Sequence, residues 1–208
     1  MEAYKRFHQL LKRDFSPLLR ADGFKGSGNT FRRVKGDRID VVGVQGWSYG
    51  GKCCVNLAVH FSFLPPEGGR QVAEPKKFKE YHCTFRDRLH EEGSKGDHWW
   101  SYGTTDAEAE VSLADLIDMY KRRGALFFAR FEPFPEVFER MTPADIDKPD
   151  LSKVSALLNP PYAAMIIARV MKHLGHGEKC RQFAEAGLRH VGRATRLQWE
   201  LEQLRDTC

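Results

Sequence analysis

Residues 30–64 read TFRRVKGDRIDVVGVQGWSYGGKCCVNLAVHFSFL, and this stretch decides the fold. Two glycine-bearing breaks, Gly36-Asp37 and Gly50-Gly51, divide it into three runs rich in β-branched and aromatic residues. The runs are about Thr30–Lys35, Arg38–Trp47 and Lys52–Leu64. A Gly-Asp pair suits a two-residue hairpin loop, because glycine enters the positive-φ region without steric cost. Such a loop sets Phe31 opposite Val42 and Arg33 opposite Asp40, an opposite-charge cross-strand pair. Gly50-Gly51, taken as a second two-residue loop, sets Trp47 opposite Cys54, Gln45 opposite Asn56, Val41 opposite His60 and Ile39 opposite Ser62. The alternate pairs are Val44 with Leu57, Val42 with Val59, and Asp40 with Phe61.

Side chains on a strand alternate between the two faces of the sheet. Phe31, Val42, Val44, Val55, Leu57 and Val59 therefore share one face, which is the expected core. Both turns, taken independently, put the apolar residues on the same side, and such agreement marks a sequence that specifies one fold. The second face carries Arg32, Val41, Gln45, Trp47, Cys54, Asn56, His60 and Ser62.

Outward from the meander, Tyr4, Phe7, Leu10, Leu11, Phe15, Leu18 and Leu19 recur at helical spacing and predict a helix over about 2–22. Pro17 should kink it or restart it, and Gly23 ends it, ahead of a Gly26–Asn29 loop. Residues 64–80, with Pro65-Pro66, Gly68-Gly69 and Pro75, read as a long loop. A fourth strand is expected over Tyr81–Leu89, a turn at Lys95-Gly96-Asp97 and a short fifth strand over His98–Tyr102. Thr105-x-x-Glu108 is a capping box that opens a helix. Thr142-Pro143 begins a short one, and residues from Pro161 onward are helical, broken at Gly175-His176-Gly177. The expected architecture is α+β: an N-terminal helix, an antiparallel β-meander of four to five strands packed on helices, and a helical C-terminal extension. The expected domains are an α+β sheet domain over 1–145 and, packed on it, a helix hairpin plus last helix over 146–208.

Several motifs follow one another in a familiar order. Leu18-Leu19 and Gly23-Phe24 precede Thr30-Phe31, Gln45 and Gly51; Val55-Asn56-Leu57, Arg88-Leu89 and Trp99-Trp100 come after. In this order the chain resembles, over about residues 4–130, the bacterial family catalogued as domain of unknown function 4304. The resemblance implies a helix–meander–helix fold and supplies no activity and no catalytic residue. It also suggests a kinship with immunity proteins of toxin systems.

Composition narrows the chemistry. The net charge is +5, with basic ends and a slightly acidic middle, too even a spread for a dedicated nucleic-acid surface. Residues 1–20 are amphipathic and charged, without the apolar core of a signal peptide, so a cytoplasmic protein without a membrane span is expected. The five cysteines lack CxxC spacing and read as reduced thiols, mostly buried. No Walker, Rossmann, HExxH or GxSxG sequence occurs. Gly23–Gly28 follows a helix and precedes a strand, the reverse of a phosphate cradle built on a helix N-terminus. No cofactor, no metal site and no catalytic residue is implied.

The candidate binding surface is the second sheet face, with Arg32, Gln45, Trp47, Asn56 and His60. Trp99, Trp100 and Tyr102 are its expected aromatic rim. The alternative is that the amides bond each other or a covering element, and that the aromatics simply pack in the core. The functional expectation is a non-catalytic protein-binding module of the immunity or inhibitor type. Two other readings stand open: a nucleic-acid-associated protein, and a small-ligand or metal-dependent enzyme using the open face with His60.

Overall fold

In a computed structural model of the chain, residues 2–67, 74–94, 96–147 and 159–208 are described. The expectations for Gly68-Gly69, for Lys95 and for residues 148–158 lie outside them. The chain divides into two compact units, Met1–Ala129 and Arg130–Cys208.

The first unit is built on its hairpins. Strand β2 (Thr30–Lys35) pairs antiparallel with β3 (Arg38–Gly46), with Phe31 on Val42 and Arg33 on Asp40. The turn is the expected two-residue loop, with Gly36 at φ +56°. Strand β4 (Lys52–Phe61) pairs with β3 in a different register from the expected one: Gln45 lies opposite Cys54, Gly43 opposite Asn56, and Ile39 opposite His60. The turn is wider than two residues. The Trp47 N–H donates to the Lys52 carbonyl at 2.9 Å and the Gly50 N–H to the Trp47 carbonyl at 2.9 Å, which leaves Ser48–Gly51 as the loop. The register shift is even, so every side chain stays on its expected face.

The sheet order is β1-β2-β3-β4-β5, with β1 at Lys25–Ser27 and β5 at Phe85–Arg88; β6 (Trp100–Ser101) also pairs with β4. Strand β1 forms where a loop was expected. The first face holds Phe31, Val42, Val44, Val55, Leu57, Val59 and Phe61, all buried. Asp40, on that face and wholly buried, accepts from Arg38 Nε at 2.6 Å and from Arg33 Nε at 2.9 Å. The Arg38 guanidinium also donates to the Phe128 carbonyl at 2.9 Å, and that of Arg33 lies 4.5 Å from the Phe24 ring centre. A carboxylate held by two guanidiniums meets the condition for keeping a charge out of water.

Helix α1 (Glu2–Leu10) runs through a π-helical turn, Leu11–Phe15, into α2 (Ser16–Ala21). The wide turn falls just before Pro17, where the missing N–H already interrupts the ladder. Gly23, at φ +86°, stops the helix, and the Phe24 N–H reaches back to the Leu19 carbonyl at 2.9 Å. Helix α3 (Asp106–Met119) starts on the expected box: Thr105 Oγ1 accepts from the Glu108 N–H at 3.3 Å, and the Glu108 carboxylate accepts from the Thr105 N–H at 3.4 Å. A second π-turn, Tyr120–Gly124, leads to α4 (Ala125–Ala129).

The second unit contains α5 (Glu136–Glu139), α6 (Ala144–Asp147), α7 (Pro160–His173), α8 (Gly177–His190) and α9 (Thr195–Thr207). Asn159 caps α7 by accepting from the Tyr162 N–H at 3.0 Å, with Pro160 and Pro161 in the first turn. The sequence-based boundary at 145 differs from this division because α5 and α6 are tied to α8. His176 Nε2 lies 2.7 Å from the Glu139 carboxylate, and His190 Nε2 lies 2.8 Å from that of Asp147. Ala163, Ile167, Val170, Phe183, Ala184 and Leu201 are buried in this unit. Cys180 and Cys208 are joined as a disulfide, which corrects the expectation of five reduced thiols; Cys53, Cys54 and Cys83 are free and buried.

Candidate functional site

The second face of the sheet is divided into two ends. At one end, the segment that carries the short helical turns Pro75–Lys77 and Glu80–His82 lies against it. Phe78 and Cys83 pack with Ile39, Val41 and Ala58 into a buried cluster. The Phe78 ring lies against the His60 ring at a tilt of 32°, centre to centre 4.9 Å. His60 Nε2 donates to the Leu64 carbonyl at 3.1 Å, so Nδ1 is the acceptor for the Thr84 hydroxyl, also at 3.1 Å. Burial pushes the His60 pKa down to about 4 and keeps the ring neutral.

The other end is uncovered. Trp47, Gln45 and Tyr49 are exposed there, and Tyr49 is 85% exposed. Asn56 Nδ2 donates to Gln45 Oε1 at 2.9 Å, and Asn56 Oδ1 accepts from Arg88 Nε at 3.2 Å. Arg88 is ion-paired with Asp97. Lys52 Nζ lies 4.3 Å from the Trp47 ring centre and 5.2 Å from that of Trp99, and the Arg88 guanidinium lies 5.7 Å from Trp99. Tyr49 meets Trp47 edge-on at 5.0 Å. Lys52 thus stands between two aromatic rings and Arg88 over one of them, in a strip continued by a bonded amide pair.

Between the two ends sits Gly43. A Cβ there would come within 2.8 Å of a Glu80 carboxylate oxygen, so the glycine makes room for this acid over the sheet.

The sequence-based candidates separate accordingly. Gln45, Trp47, Asn56 and Trp99 come together at the open end. His60 does not: it is buried under Phe78, which removes it from any exposed face. Trp100 is also a correction. It pairs with Cys53, whose side chain is on the core face, and its Nε1 donates to Asp115 at 2.8 Å. Tyr102 is likewise buried. Arg32 is on the second face but beside the covered end, where its Nε donates to the Phe78 carbonyl. Lys52, Arg88 and Tyr49 were not among the candidates. Strand parity signals Lys52, since it shares a face with Cys54 and Asn56; nothing local in the sequence signals Arg88.

The cysteines near this surface are poor nucleophiles. Burial raises the Cys54 pKa, brings that of Cys53 to about 12 and pushes that of Cys83 up as well. Among the described residues, no three His, Cys, Asp or Glu side chains are grouped to hold a metal ion, and no helix is long and apolar enough to cross a membrane.

Fold and surface together define an α+β protein with an aromatic–cationic strip at one end of its sheet. The chain belongs to the family described as domain of unknown function (DUF4304), whose model matches residues 15–130, more than half of the chain. The match covers most of the first unit and stops at the start of the second. No curated protein and no solved structure matches the chain.

Proposed function

We propose that the protein is a non-catalytic binding module that engages another protein through the open end of the second sheet face, in the manner of an immunity or inhibitor protein. The observation that carries the reading is the convergence of Trp47 and Trp99 around Lys52, with Tyr49 edge-on to Trp47, on a part of the sheet where Trp47 and Tyr49 are exposed. Tryptophan, tyrosine and arginine dominate binding hot spots, because they offer large contact area at low entropic cost together with a polar handle. Lys52 stands here beside the Arg88–Asp97 ion pair, and mixed charge of this kind selects a partner by complementarity. The strip is held rigid by the Arg88–Asn56–Gln45 chain of hydrogen bonds. The buried, high-pKa thiols and the neutral, enclosed His60 agree with a role that needs no nucleophile.

The test is retention of partners from the native lysate by the immobilised full chain, beside Trp47→Ala and Trp99→Ala. A specific partner should be held by the unsubstituted chain and weakened at least about tenfold by either change, the scale of a hot-spot truncation. Equal retention by all three proteins sinks the reading. Retention that disappears with modest added salt and moves to nucleic acid assigns the strip to phosphate-backbone binding instead.

A further inference from the structure

The edge of the sheet farthest from the Trp47 strip carries a conflict of charge. Lys25 of β1 stands directly opposite Arg32 of β2. Side chains so paired share a face of the sheet, and like charges placed there repel. Arg33 and Lys76 line the same cleft, which has a volume of about 370 Å3; Val34, half exposed, forms its apolar wall.

Nearby acids leave this conflict in place. Arg33 is committed to Asp40, with NH2 at 2.8 Å, and its NH1 donates to the Asp22 carbonyl at 2.8 Å. Lys76 lies 2.8 Å from Glu74, but Glu74 also holds Lys77 at 2.7 Å. Arg32 gives its Nε to a neutral acceptor, the Phe78 carbonyl, and Glu80 acts on it only at longer range. Lys25 makes no ion pair among the described residues. Burial makes the Arg32 cation less favourable than an exposed one.

We propose that this cleft binds a small phosphorylated ligand, its phosphate seated between the terminal nitrogens of Arg32 and the ammonium of Lys25, with Lys76 at the rim and Val34 against the ligand's apolar remainder. A phosphate fits better than a carboxylate for two reasons. It carries up to two negative charges against Lys25 and Arg32, of which only Arg32 feels an acid, Glu80, and that at longer range, and its oxygens match the two terminal nitrogens of the guanidinium. The volume lies at the small end of ligand sites, about 300–1,000 Å3, room for a phosphate on a compact organic group. The glycines at 23–28 do not contribute a helix N-terminus, since α2 ends there; the anion is met by side chains of the strands that follow. The site is separate from the protein-binding strip, and either can fail without the other.

Calorimetric titration of the full chain with sodium pyrophosphate, against sodium chloride at matched ionic strength, tests the proposal. Saturable one-site binding is expected for pyrophosphate alone. Lys25→Gln should weaken it about tenfold or more, the effect of removing one charge-assisted contact. Lys25 is exposed, so this variant is expected to fold; freed of the repulsion, it should melt no lower than the native chain when pyrophosphate is absent. Lys12→Gln, an exposed change of equal charge on the N-terminal helix, should leave binding as it was. Pyrophosphate binding no better than chloride overturns the site. So does equal weakening by Lys25→Gln and Lys12→Gln, which would reduce the effect to net charge.

Discussion

The two ends of the second sheet face lie on the same two strands, β3 and β4, yet they are different materials. At the covered end, His60 and Ala58 project under Phe78 and Cys83, and every polar atom of the imidazole has a partner. At the uncovered end, Lys52 projects beside Trp47 and exposed Gln45, which holds the buried amide of Asn56, and the contacts are one part-buried amide pair and cation–ring approaches. The covered end is packed as a second core, whereas the open end presents Gln45, Trp47 and Tyr49 outward. A residue's face is therefore too coarse a guide to its role here. Its position along the strand, relative to the segment 74–84, decides whether it is structural or available.

This contrast is sharpest for truncation of a large ring. Phe78 is 4% exposed and is the main side chain closing the covered end. Phe78→Ala is expected to destabilise the unit by about 3–5 kcal/mol, through lost apolar burial plus a cavity over His60. A chemical-denaturation midpoint measures it. A cost below about 1 kcal/mol would mean that the segment 74–84 is not a true cover.

The next effect is acid sensitivity at the same end. The His60 pKa in the folded protein is about 4, against 6.5 in the open chain. Between those values the unfolded chain binds the extra proton, so stability falls as the pH is lowered and is fully present above about 6.5. The shift corresponds to about 3 kcal/mol lost by pH 4, of which about 2 kcal/mol is lost between pH 7 and 5, before most carboxylates titrate. Denaturation midpoints across that range should follow this slope, and His60→Gln should flatten it. An unchanged slope in the variant would assign the acid sensitivity to other groups.

Much of this division was legible in the sequence, and the part that was not has physical causes. The β2–β3 register follows from the Gly36-Asp37 loop down to the Arg33–Asp40 pair. The β3–β4 register was misjudged because Gly50-Gly51 looks sufficient for a turn, while the ladder in fact closes at Trp47 and Lys52. Faces survived the error since the shift was even. Trp99 directly precedes β6 and Trp100 opens it, so consecutive side chains of extended chain point to opposite sides and only one of the two rings reaches the open end. The cover itself has no periodic signature: Phe78 and Cys83 stand among prolines, lysines and short helical turns, and only tertiary contact shows that they lie on the sheet. Arg88 reaches Asn56 from a strand more than thirty residues on, a pairing that no local pattern announces.

The smallest expected effect belongs to the open end, and it is the one that decides whether the two ends differ in kind. Trp47 is 41% exposed, and its ring meets Lys52 and the edge of Tyr49. An exposed cation–ring contact contributes about 0.5–1 kcal/mol, and part of that returns when Lys52 turns to water or to Trp99. With the partial burial of the indole added, Trp47→Ala should cost about 1–2 kcal/mol, clearly less than Phe78→Ala, although it removes more atoms. If the denaturation midpoint falls as far as for Phe78→Ala, Trp47 is a structural residue and the open end is merely a thin core. If the midpoint falls no further than this while partner retention is lost, the ring is maintained at the surface for a purpose that folding does not require. The two measurements on one variant thus separate stabilisation from recognition at the position where the sheet passes from covered to open.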